Sequence, residues 1–151
     1  MFRLLFFSWL LTLPLQQPET APSLRQAQAL FEQRQFAAAA RLACPNPNNL
    51  AAWKLCGLAL QLSQQIPPAE QTFQRAVAAF PQDAELWFYL ARVQYLQAQL
   101  KASEAAAQQA IQVRAGFADA HTQLAMTLDA LHDDAAALQH YETAIQLNQK
   151  Q

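Results

Sequence analysis

Three histidines crowd the last third of the chain: His121, His132 and His140, interleaved with Asp129, Asp133 and Asp134. Imidazole and carboxylate are ligands for zinc and partners in acid–base chemistry. Two thiols, Cys44 and Cys56, stand close enough in sequence to suggest a disulfide, and Ser103 offers a hydroxyl. A zinc site needs three or four donors converging at about 2 Å, and a nucleophilic serine needs a base beside it. Whether any of these groups meet depends on the elements that carry them.

The composition sets those elements. The chain has 151 residues, length for one domain with a real core, and 53% of it is hydrophobic, much of that Ala. Ala, Leu, Gln and Arg favour helix, while Val, Ile and Thr are sparse. With only two Gly there is no glycine-rich phosphate loop. Ten Lys and Arg are scattered and the net charge is -1, so neither nucleic acid nor an anionic membrane surface is favoured as a partner.

The start, "MFRLLFFSWLLTLPLQQPETAP", is laid out as an export signal. Arg3 gives the positive end, Leu4 to Leu15 form an apolar core, and Gln16 and Gln17 follow. A bilayer of about 30 Å asks for roughly 20 apolar residues, more than this core supplies. Residues 1–21 therefore read as a signal peptide and the chain as exported, periplasmic or extracellular. Cleavage after Ala21 would leave Glu19 where a small residue is preferred, so an uncleaved anchor formed by residues 4–15, making a membrane-tethered adaptor, is the alternative.

Beyond residue 49 the chain repeats. Stepping 34 residues from Trp53 reaches Trp87 and then His121. The same step links Gly57, Ala91 and Ala125; Ala69, Ser103 and Ala137; Phe73, Ala107 and Tyr141; Ala76, Ala110 and Ala144; and Val77, Ile111 and Ile145. Chance can match the alanines but not the large residues as well, and a fixed period in this range marks a stacked array. Each copy holds two helices. In the fullest one, Trp53, Cys56 and Leu60 form the apolar stripe of a helix over Leu50 to Leu62. Pro67 and Pro68 open a second helix, expected from about Pro68 to Phe80, and Pro81 ends it. Asp83 is a candidate N-cap for the following helix, and Asp133 or Asp134 for the last one. Small residues at Gly57, Ala91 and Ala125, facing Ala69, Ser103 and Ala137, would let paired helices approach closely.

These residues resemble the tetratricopeptide repeat, whose pattern is W-x2-L-G-x2-Y, then A-x3-F, then A and P. Trp53, Cys56, Gly57, Leu60, Ala69, Phe73, Ala76 and Pro81 make the fullest copy, with Cys56 in place of Leu and Leu60 in place of Tyr. Trp87, Leu90, Ala91, Ser103 and Ala110, then His121, Leu124, Ala125, Ala137, Tyr141 and Ala144, make two more. The resemblance implies an all-α, right-handed superhelical array of antiparallel helix pairs. It divides the chain into a truncated first repeat at 22–49 and repeats at 50–83, 84–117 and 118–151. The first copy is about one helical turn short, with its second helix ending near Cys44.

In that family the first helix of each pair lines a concave groove that holds a peptide of a partner protein. Carried over, the groove would be lined by Lys54, Leu58, Phe88, Tyr89, Arg92, Tyr95, Gln123 and Met126. Aromatics beside an arginine are the mixture of a binding hot spot. Some members grip a terminal carboxylate with Lys, Asn and Arg, but Leu58 and Tyr89 stand where Asn would be needed, and Glu85 and Asp119 would repel an anion. An extended or helical segment with apolar anchors is the expected ligand. A non-enzymatic scaffold or assembly factor without cofactor is the reading. Self-association is its alternative, through a C-terminal end exposing Leu128, Leu131, Leu138 and Ile145.

The chemistry can now be placed. His121 takes the phase of Trp53 and Trp87 in the helix seam, His132 and Asp133 fall in a turn, and His140 lies on the other helix of the pair. No metal site is expected from these spacings, and Ser103, in a small-residue phase, is a packing residue. Cys44 would close one helix and Cys56 lie about two turns into the next. A bridge, possible where Cα atoms come within roughly 7 Å, and a buried Cys56 beside a free Cys44 both remain open.

Overall fold

Helix-forming segments interrupted by short polar turns give eight helices among the described residues and no strand. The computed structural model describes residues 20–45 and 47–150, with side chains from Ser23 onward. The export signal or anchor expected within residues 1–21 therefore falls almost wholly outside the described residues. The helices are α1 (Thr20–Glu32), α2 (Phe36–Ala43), α3 (Leu50–Leu62), α4 (Ile66–Ala79), α5 (Ala84–Leu96), α6 (Leu100–Val113), α7 (Ala118–Ala130) and α8 (Asp134–Gln149). Among the described residues no helix is long and apolar enough to cross a membrane.

The helices pair as α1 with α2, α3 with α4, α5 with α6 and α7 with α8, and each pair packs on the next. First helices also touch the first helix of the following pair, α1 on α3, α3 on α5 and α5 on α7. Second helices make no contact with one another among the described residues. Pairs that meet on one side and splay on the other must curve, so α1, α3, α5 and α7 line the inner face. This is the tetratricopeptide-like α-solenoid.

The small residues sit where helices cross. Gly57 is buried against Phe73 of α4, and a Cβ built on it would overlap that ring. Ala91, Ala125, Ala69 and Ser103 are fully buried, and Ala137 nearly so. Ser103 also does more than fill space. Thr127 donates its hydroxyl proton to the Gln123 carbonyl at 2.8 Å, so the 2.9 Å contact with Ser103 has Ser103 as donor. That buried bond ties α6 to α7.

Side-chain caps open three of the helices. Asn49 Oδ1 accepts from Ala52 N and Asp83 Oδ1 from Leu86 N, both at 2.9 Å, and Asp133 Oδ1 accepts from Ala136 N at 3.2 Å. Helix α4 begins at Ile66, two residues before the expected start, with both prolines in its first turn, where missing N–H groups leave no bond unmade. Helix α2 has 8 residues against 14 in α4 and α6, the short first copy the spacing predicts. Cys44 and Cys56 form a disulfide with Cα atoms 4.9 Å apart, fixing α2 to α3 at that short copy. Beyond it Leu128, on α7, is 7% exposed and belongs to the apolar core, and Leu131 is half-buried. Leu138 and Ile145 are 59% and 56% exposed.

Candidate binding groove

The inner face is built around one capping residue used twice. Asp83 caps α5 with one oxygen and pairs with Lys54 Nζ through the other at 2.9 Å. Glu85, in the first turn of α5, holds the same ammonium at 2.7 Å. Burial works against the Lys54 charge, but the bonds from Glu85 and Asp83 outweigh it and raise its pKa above the ordinary value. Lys54 is thus a tie between α3 and α5, with both nearby carboxylates committed to it.

About two turns further along α5, Arg92 lies over the rings of Phe88 and Tyr89, 5.3 and 5.2 Å from their centroids, within cation–π range. Its Nη2 donates to Gln61 Oε1 on α3 at 2.8 Å. Its Nε is buried with no hydrogen-bond partner among the described residues. Burial pulls the Arg92 pKa down, opposed by Tyr89 and Asp119. Burial, and then Glu85, push the Tyr89 hydroxyl up.

Phe88 also packs edge-on against Phe117 at 5.4 Å, and Tyr89 leans on the buried Phe73 at 5.5 Å. The rings run as one string from the core to the junction before α7, where Arg114 stacks on Phe117 at 3.7 Å. Leu58 packs against the core, Tyr95 is half-buried and Met126 is 37% exposed. Gln123 departs from the expectation. It is 5% exposed, with its amide directed at Thr127, and presents nothing to a ligand. The groove centre is therefore Phe88, Tyr89 and Arg92, flanked by Leu58, Tyr95 and Met126.

Two features escape the sequence. Phe117 holds the phase of the caps Asn49 and Asp83 yet supplies a ring instead; an aromatic in a cap position is the signal that marks it. His121 and His140 meet, with their Nδ1 atoms 3.0 Å apart across the α7–α8 seam. His121 Nε2 lies 3.1 Å from the Ala115 carbonyl, just as Trp87 Nε1 donates to the Pro81 carbonyl at 2.9 Å. The carbonyl can only accept, so His121 carries its proton on Nε2, and His140 Nδ1 donates to His121 Nδ1. The equivalence of His121 and Trp87 thus extends to their hydrogen bonds. Among the described residues no three His, Cys, Asp or Glu groups converge for a metal ion.

This geometry defines a helical-repeat scaffold with an aromatic-lined inner face. Residues 50–93 match the tetratricopeptide repeat as a sequence family. The chain is thus similar to tetratricopeptide-repeat proteins in sequence over that stretch, and its helices share their fold. No curated protein matches it by sequence. Among solved structures it is similar to one described as the crystal structure of MamA, with TM-score 0.81 and 15% identity over 87% of this chain and 80% of that one. It is also similar to MamA from residue 41 to the end, from Desulfovibrio magneticus RS-1, with TM-score 0.81 and 22% identity over 88% and 77%. At these identities the likeness is one of fold.

Proposed function

We propose that this chain is a non-enzymatic scaffold that holds a peptide segment of a partner protein in its inner groove. The observation that carries the reading is the cluster of Phe88, Tyr89 and Arg92 on α5. Each side chain is half-buried and held by a neighbouring element, yet each retains surface on the face where successive first helices meet. Pre-positioned aromatics and an arginine lose little conformational freedom on binding, which is what concentrates affinity in a few residues. We further propose that residues 1–21 direct export, with residues 4–15 as the anchor if they are retained.

A photo-crosslinking residue at Met126, exposed on the inner face, should trap a partner in the native cell, and one at Gln112, exposed on α6, should not. Adducts of equal yield from both positions, or from Gln112 alone, would move binding away from the groove. Tyr89 is a poor probe because its ring supports Phe73, so its loss would disturb the core as well as the groove.

A further inference from the structure

We infer that the segment held in the groove presents a carboxylate, from an Asp or Glu flanked by apolar residues, to Arg92. The inference rests on the groove reading and specifies the partner's chemistry. The sequence suggests the opposite, since Glu85 and Asp119 stand near and would repel an anion. The structure changes that balance. Asp83 and Glu85 are both bound to Lys54, at 2.9 and 2.7 Å, which leaves that three-residue cluster one negative charge in excess but directs its oxygens at an ammonium. Lys54 is consumed and Arg92 is not. Among the described residues no carboxylate lies within 4.0 Å of Arg92. Its contacts among the described residues are the neutral oxygen of Gln61 and two ring faces; its Nε is buried without a partner, so a ligand would meet the outer end of the guanidinium.

A guanidinium partly withdrawn from water without a counter-charge is costly, and its five donors sit in a fork that matches a carboxylate. Gln61 and the rings of Phe88 and Tyr89 fix the direction of that fork in advance. Asp119 on α7 attracts Arg92 from beyond ion-pairing distance, so it opposes an incoming anion without itself closing the pair. A ligand carboxylate would complete it. Leu58, Tyr95 and Met126 around the cation supply the apolar surface for the flanking side chains. Leu58 and Tyr89 still occupy the places where amides would hold a chain terminus, so the group recognised is a side-chain carboxylate.

The test is fluorescence anisotropy of the purified protein against labelled 12-residue peptides in matched pairs. Each pair has Leu, Phe or Met on both sides of a central Glu in one member and Gln in the other. One charge-assisted pairing corresponds to about tenfold in affinity. The Glu members should bind wild type roughly tenfold tighter than the Gln members. Arg92→Gln should reduce that preference to less than about twofold, and Arg92→Lys should keep part of it. Arg92→Gln removes a partly buried charge, so it should fold, and its helical circular dichroism should match wild type. Equal binding of Glu and Gln peptides by wild type, or a preference that survives Arg92→Gln, overturns the inference and leaves the groove standing. Binding of neither member to wild type overturns the groove reading with it.

Discussion

At the residue scale the seam shows one misfit. Gln94 takes the phase of Leu60 and Leu128, all three being less than 10% exposed. Its Oε1 is buried without a hydrogen-bond partner among the described residues. A buried polar atom left unsatisfied costs about 1–3 kcal/mol, and a leucine of similar volume has no such atom. Gln94→Leu should therefore raise stability by roughly 1–2 kcal/mol, seen as a higher urea midpoint with an unchanged slope. A lower midpoint would mean that the amide has a partner in solution. The misfit is visible in the sequence once the 34-residue step is drawn, because only one copy breaks the Leu phase. Arg92 differs. Its place on the inner face follows from the repeat, but its lack of a counter-ion depends on Lys54 capturing both Asp83 and Glu85, a three-way contact that no periodicity encodes.

At the element scale, one turn recurs four times. Arg34, Gln64, Ala98 and His132 all have left-handed backbone, with φ of 61°, 65°, 57° and 64°. In each case the next N–H bonds five residues back, as in Gln65 N to Leu60 O at 2.9 Å and Gln99 N to Gln94 O at 2.9 Å. This is the glycine-type helix stop, occupied here by residues that carry a Cβ. The left-handed conformation costs an L-residue about 1–2 kcal/mol, partly offset by the greater chain entropy of Gly. Gln65, which caps α4 in position but not with its side chain, adds a second opening. Gln64→Gly with Gln65→Asp should gain about 1–2 kcal/mol, read as a rise in thermal midpoint. A fall would show that Gln64 and Gln65 hold that turn by contacts other than its backbone. The sequence locates these turns but not their conformation, because the usual glycine is missing from all four. It does show the short first copy. Arg34 and Gln64 are four residues closer than Gln64 and Ala98, about one helical turn.

At the scale of the whole molecule, curvature and pairing follow from the repeat, whereas the meeting of His121 and His140 does not. Their separation of 19 residues matches no ligand spacing, and the two come together only because α8 folds back across α7. The contact has a consequence for the array. Burial, and then the neighbouring His121, hold the His140 pKa below its ordinary 6.5. In the unfolded chain His140 titrates near 6.5, so between that value and the lower folded one the unfolded state binds more protons. Stability must then rise with pH through that window. The contribution is fully present above about 6.5 and is lost as the pH falls through the folded value. In a linear array each pair is held only by its neighbours, so a weakened pair opens ahead of pairs farther along. Acidification from pH 7.5 to 5 should therefore lower amide protection factors, which correct for the intrinsic pH dependence of exchange, in α7 and α8 ahead of α3 and α4, the latter joined to α2 by the Cys44–Cys56 bridge. His140→Gln removes the titrating group and should flatten that slope while leaving α3 and α4 unchanged. Protection that falls uniformly along the array, or a slope that persists in His140→Gln, would place the acid sensitivity elsewhere.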